Sequence, residues 1–177
     1  MALRTYLLAD APQVAGSAEP TATQVAKRGG SAEPTATKVE VLVADVGLAC
    51  CAVEFAAAVA RGLLVPAPLA DGGASSSSDG TPVTTVLVVS GTVTEALLPD
   101  ILRAWEALPD PKAALSYGAC ANSGGPYWDS YAVAQGVDRV IPVKQYVPGC
   151  PPRPEALVAA LRDLGRESGP EPREAGS

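Results

Sequence analysis

Histidine is absent from the 177 residues, and aromatic side chains make up only 5% of them. The first absence removes the commonest general base and one of the usual zinc ligands. The second leaves Ala, Val and Leu to fill most of any interior. No C-x₂₋₄-C pair occurs, so the tight knuckle that closes around a structural zinc is missing. No apolar run spans a bilayer: the most apolar region, residues 39–70, is interrupted by Asp45, Glu54 and Arg61, each costly in hydrocarbon. A basic stripe is lacking too. With a net charge of −6 and a pI near 4.6, the chain is not expected to bind nucleic acid. The opening MALRTYLLADA holds one Arg, a short apolar stretch and no twin-Arg pair, too little for an export signal. Serine triad, phosphate-cradling glycine loop and dinucleotide fingerprint are all absent.

What is present suits one domain. The length buries a core without staples, and 47% hydrophobic residues is ordinary for a globular protein. Without an export signal the expected site is intracellular. Thiols stay reduced there, so cysteines read as metal ligands before they read as disulfides.

The chain begins with a polar arm, residues 1–38, in which GSAEPTAT occurs at 16–23 and again at 30–37. Two copies are too few and too polar to bury a shared face. With Pro20 and Pro34 inside it, the arm is expected to be extended or disordered. An α/β domain follows over residues 39–164. KVEVLVAD at 38–45 reads as the first core strand, and helical spacing starts after Cys51 in AVEFAAAVARGLL. Residues 71–82 form a small, polar, Ser-rich surface loop. TTVLVVSG at 84–91 is a buried-type strand. Thr92 or Thr94 caps the next helix, with Pro99 as a kink or as its true start. KAALSY at 112–117 is a third strand, 127–135 a candidate helix and DRVIPV at 138–143 a fourth strand. A last helix should start at Pro154, and the tail from 165 to 177 should fray. Strands alternating with helices predict a flavodoxin-like, mostly parallel sheet with helices on both faces. Each cysteine loop then leaves the C-terminal edge of the strands, where such sheets bind ligands.

All four cysteines, Cys50, Cys51, Cys120 and Cys150, fall at those places. A four-thiolate site holds zinc or an iron–sulfur cluster. Adjacent side chains diverge in a helix or a strand, so Cys50 and Cys51 share one site only where the chain is irregular and the site bulky. A four-iron cubane with separate corners meets that demand more easily than one ion. Gly47 would supply the turn, and Gly118, Gly124 and Gly125 would let backbone approach inorganic sulfide. Ser123 and Asn122 are candidate donors to cluster sulfur. Pro151, Pro152 and Pro154 stiffen the Cys150 loop, and Arg153 can offset a negative cluster. The plainer alternatives stand beside this reading: inert core cysteines, a strained Cys50–Cys51 disulfide, and glycines that mark turns only.

The runs GLACCAVE, VVSGTVTEALLP, LPDPKAALSYGACANSGG and YVPGCPPRPEAL resemble the B-type component of bacterial NADH-quinone oxidoreductase, the 20 kDa-type subunit of complex I. The similarity covers residues 39–64 and 83–164. It implies Cys50, Cys51, Cys120 and Cys150 as ligands of one [4Fe–4S] cluster, with no catalytic residue on this chain. It further implies electron transfer to quinone at an interface with the D-type subunit, and I-type and H-type subunits as further partners. The chain would then be a subunit of an NADH:quinone oxidoreductase (a translocase), not catalytic alone, peripheral on the cytoplasmic face of the cell membrane. Two alternatives remain: the small subunit of a NiFe-hydrogenase-type complex, and a non-catalytic zinc-binding or scaffold paralogue.

Other residues divide between readings. Glu54, in the family's CC-x-x-E pattern, serves the cluster or a proton path, or is a first-turn carboxylate favoured by the helix dipole. Arg153 acts on the cluster or in a surface salt bridge. Tyr127, Trp128 and Tyr131 meet a partner subunit or fill the core. The chain departs from the family in three places: the Ser-rich 71–80 loop replaces an Arg-containing segment, the repeat replaces an amphipathic lead-in, and Lys144 stands where an acid is common. A divergent paralogue would carry such changes.

Overall fold

Eight consecutive residues, Val83–Ser90, are buried along their whole length. Such a strand must be covered on both faces, and it lies at the centre of the sheet. The structure, a computed structural model, describes residues 4–9, 40–67 and 83–167. Six strands lie in the order β3-β1-β2-β4-β5-β6: β1 Arg4–Leu8, β2 Glu40–Gly47, β3 Leu64–Pro66, β4 Val83–Ser90, β5 Lys112–Tyr117 and β6 Val143–Val147. β2, β4, β5 and β6 pair in parallel. β1 is antiparallel to both of its neighbours, so it alone runs against the other five.

Among the described residues four helices cover the sheet: α1 Ala49–Ala60, α2 Leu98–Ala107, α3 Ala119–Ser123 and α4 Pro154–Glu167. Strand side chains alternate between faces, and two cores result. Val86, Val88, Ala113, Leu115 and Tyr117 pack with Phe55 and Ala58 of α1 and Leu157 and Leu161 of α4. Leu87, Val89 and Ala114 face the other way, toward Ile101 of α2, Ala121 of α3 and Ile141. The mostly parallel α/β sheet with helices on both faces is thus the observed fold. No helix among the described residues is long and apolar enough to cross a membrane.

Several boundaries differ from expectation. The sheet gains β1 inside the 1–38 arm, so Glu40–Gly47 is the second strand and not the first. The GSAEPTAT repeat and the 71–80 loop lie outside the described residues. α1 begins at Ala49 and takes in both cysteines instead of following them. Pro99 marks the start of α2, one residue in, with no kink, and Thr94 precedes a short 3-10 turn without a side-chain capping bond. Residues 127–135 form turns, not a helix: Trp128 and Ser130 donate their N–H three residues back, to Gly125 and Tyr127. The strand expected at 138–143 starts only at Val143, because Pro142 has no N–H for the ladder. α4 starts at Pro154 as read but carries on through Gly165 to Glu167; the rest of the tail expected to fray lies outside the described residues.

Candidate metal centre

The sheet directs three chain segments to one edge. β2 ends at Gly47 and β5 at Tyr117, while β6 ends at Val147; Cys50 and Cys51, Cys120, and Cys150 follow within a few residues. Leu48 N–H donates to the Ser90 carbonyl at 3.0 Å, which ties the entry of α1 to the end of β4. The chain then turns at Ala49, a non-glycine residue with φ +52°. That left-handed residue is the irregularity the cysteine pair requires, and it sits at Ala49 and not at Gly47. Gly47 has a different role: a Cβ there would lie 2.8 Å from Asp45 Oδ2.

Cys51 and Cys120 are buried, whereas Cys50 and Cys150 are exposed. All four thiols are free, so the vicinal disulfide is not formed. The Cys51 thiol hydrogen-bonds Cys50 and feels Cys120 electrostatically. Burial pushes it up to about 12; Cys50 and Cys120 add to the rise, and a Gly91 backbone hydrogen bond opposes it. Alone, then, this thiol keeps its proton. A bound cation reverses that balance, because thiolates are the ligating form. The loop before Cys150 is tied to the segment before Cys120: Ala119 N–H donates to the Gly149 carbonyl at 2.8 Å, and Gly118 N–H to Val147 at 2.9 Å. Among the described residues no three Cys, Asp or Glu side chains form a group that could hold a metal ion.

Space around the sulfurs is kept by missing side chains. A Cβ on Gly118, at φ +95°, would lie 2.5 Å from Cys51 Sγ. One on Gly125, at φ +56°, would lie 2.9 Å from Cys120 Sγ. Both glycines are there because backbone must pass close to sulfur in conformations other residues avoid. Thiols without imidazole or carboxylate are the residue type of iron–sulfur ligation.

Some expected roles fail. Asn122 does not face outward as a free donor: its Nδ2 reaches Val147 O at 3.3 Å and its Oδ1 accepts from Ser116 Oγ at 2.6 Å. The Ser123 hydroxyl returns to the Ala119 carbonyl of its own helix at 3.4 Å. Glu54, sixth in α1, is past the first turn, so the dipole reading falls; its charge instead acts on Tyr117. Tyr127, Trp128 and Tyr131 are 54%, 62% and 98% exposed, which rules out core filling. Arg153 is exposed and bears electrostatically on Glu155. Lys144 points outward on an edge strand.

Three residues escaped the sequence reading. Gly91 directly follows β4 at φ +84°, where a Cβ would lie 2.0 Å from the Leu48 carbonyl oxygen; a glycine after a wholly buried strand was the available signal. Tyr117 is fully buried and reaches Pro152 O at 2.6 Å. Its signal was an aromatic in a run of small residues. Asp45, an acid inside VLVADVG, is the third.

The family model described as NADH ubiquinone oxidoreductase, 20 Kd subunit, matches residues 49–164. A B-type NADH-quinone oxidoreductase subunit of Streptomyces griseus is 49% identical over 123 residues, 69% of this chain and 50% of that protein. Its counterpart in Salinispora tropica is 48% identical over 126 residues, 69% of this chain and 63% of that one. The counterpart in Amoebophilus asiaticus is 45% identical over 120 residues, 67% of this chain and 71% of its own length. The chain thus spans about half the length of the Streptomyces relative. Among solved structures, a chain from a membrane-bound sulfane sulfur reductase, an archaeal respiratory membrane complex, superposes at a TM-score of 0.42 with 40% identity over 45% of each chain. Match and relatives together make this chain a member of the NADH ubiquinone oxidoreductase 20 kDa subunit family.

Proposed function

We propose that the chain is the electron-transfer subunit of a respiratory NADH-quinone oxidoreductase. Cys50, Cys51, Cys120 and Cys150 would together hold one [4Fe–4S] cluster. When bound, such a cluster would supply one-electron transfer between neighbouring subunits and quinone at the interface with the D-type subunit. The protein's part is ligation, burial and orientation. Cys51 and Cys120 are the inner ligands, shielded from water, while Cys50 and Cys150 stand at the exposed rim. Gly91 offers its backbone N–H to Cys51 sulfur, a contact of the kind that tunes reduction potential. Gly118 and Gly125 keep the volume beside two of the sulfurs clear of side chains. The D-type, I-type and H-type subunits are the proposed partners, with the chain peripheral on the cytoplasmic face of the membrane.

One observation carries this reading best: the absent Gly118 side chain would press on Cys51 sulfur, so the space beside that sulfur is kept clear by sequence. The test is anaerobic purification of the full chain, iron and sulfide analysis, and an EPR spectrum after reduction. Four irons and four sulfides per chain are expected, with a reduced-cluster signal that Cys150→Ser alters or abolishes. One zinc per chain, or no metal after anaerobic reconstitution, overturns the proposal.

A further inference from the structure

The segment that carries Cys150 has an unusual anchoring problem. It reads Gly149-Cys150-Pro151-Pro152-Arg153-Pro154, and its three prolines have no N–H to donate. Such a loop must be held largely through its carbonyls. Its upstream arm is held that way, since Val147 and Gly149 accept from Gly118 N–H, Ala119 N–H and Asn122 Nδ2. Downstream of the cysteine, one hydrogen bond from another element reaches residues 150–152 among the described residues. It is donated by the Tyr117 hydroxyl to Pro152 O, at 2.6 Å and buried.

Tyr117 is completely enclosed. Phe would fill almost the same volume without needing a polar partner, whereas a buried Tyr hydroxyl must find one. The hydroxyl is therefore accounted for by what it holds. The ring leaves the last residue of β5, directly before Gly118, whose Cβ position lies 2.5 Å from Cys51 Sγ and 3.5 Å from Pro152 Cδ. That corner of the chain borders the Cys51 thiol and the loop of the fourth at once.

We propose that Tyr117 is a positioning residue: by donating to the Pro152 carbonyl it fastens the downstream arm of the Cys150 loop to β5 and so fixes where the fourth thiol stands. The inference rests on the four-cysteine cluster proposed above. With the hydroxyl gone, the loop keeps its upstream ties but pivots about them. The exposed rim ligand is then the first to let go.

The test is Tyr117→Phe in the full chain, reconstituted anaerobically with iron and sulfide beside the wild type. Iron release to a chelator should quicken about fivefold, the factor that one hydrogen bond of ordinary strength represents. The EPR g-values of the reduced cluster should shift. In the metal-free chains, amide exchange over residues 148–156 should be faster in the variant, a readout that needs no cluster. Ile101→Val, in the core on the opposite face, is the control for general loosening and should leave all three readouts unchanged. If Tyr117→Phe matches wild type in release, spectrum and exchange, the positioning role is overturned while the cluster reading stands. Equal acceleration of release by Ile101→Val also overturns it. A wild-type chain that takes up no iron overturns the cluster reading and this role with it.

Discussion

Arg4 on β1 and Asp45 on β2 are cross-strand partners, yet the inner oxygen of Asp45, Oδ1, is buried without a hydrogen bond. The two residues line a cavity of about 590 Å³ together with Tyr6, Phe55 and the alanine-rich face of α1. Burial raises the Asp45 carboxyl from 3.8 to about 7, and the Arg4 charge only partly offsets this.

The folded chain therefore binds a proton at Asp45 that the unfolded chain releases above about pH 4. Stability from this site is complete below the unfolded value and is lost as pH rises through about 7. Between about pH 5 and pH 8 the loss should be roughly 3 kcal/mol. Denaturant melts across that range should show it, and Asp45→Asn should flatten the profile by removing the titration. A variant as steep as wild type would assign the slope to other groups.

Gly118→Ala should be among the costliest single changes at the site. It forces a side chain into φ +95° and sets a Cβ 2.5 Å from Cys51 Sγ, worth about 2 kcal/mol or more. Iron content after reconstitution should fall with it. Gly62→Ala is the comparison: at φ +70° its Cβ would meet nothing within 4 Å, so it should cost only the backbone strain, about 1 kcal/mol, and leave iron content alone.

Asn122→Ala should destabilise by about 1–3 kcal/mol. The change strands the hydroxyl of Ser116, which is fully buried and donates to Asn122 Oδ1. It also removes a tie to Val147 on the Cys150 side. Pairing it with Ser116→Ala should recover part of the loss, since the hydroxyl is then no longer left over. A double-mutant cycle reads this directly.

Arg61→Ala should cost no more than about 0.5 kcal/mol, although Arg61 Nη1 sits 2.5 Å from Glu155 Oε1. Both side chains are about half exposed, at 47% and 58%, and ion pairs in that setting contribute little. A melting midpoint within error of wild type is the expected outcome.

The sequence announced the elements whose signal is local. VVSG after a run of β-branched residues, KAALSY, and Pro154 ahead of EALVAALRDL each became the expected strand or helix. The cysteine loops fell at the strand ends for the same reason, since a parallel sheet leaves little choice about where its loops emerge. Signals that depend on distant partners were hidden. Arg4–Leu8 is too short to declare itself as a strand until β2 and β3 flank it, and residues 127–135 have helix-forming composition but are held in turns by the glycines and Pro126 around them. Asn122 looked like a free donor because Ser116 and Val147 are remote along the chain. Tyr117 was legible only as the end of a strand because its partner, a carbonyl 35 residues away, leaves no trace in composition.

The placement of β1 has a practical corollary. β3 touches the rest of the sheet only by way of β1, so a handful of N-terminal residues work as the hinge pin for that entire flank. A boundary drawn at the family match alone would open at residue 49, which discards β1 and β2 and leaves β4 with a bare edge. Anyone trimming a clone for expression should keep the chain from its fourth residue onward.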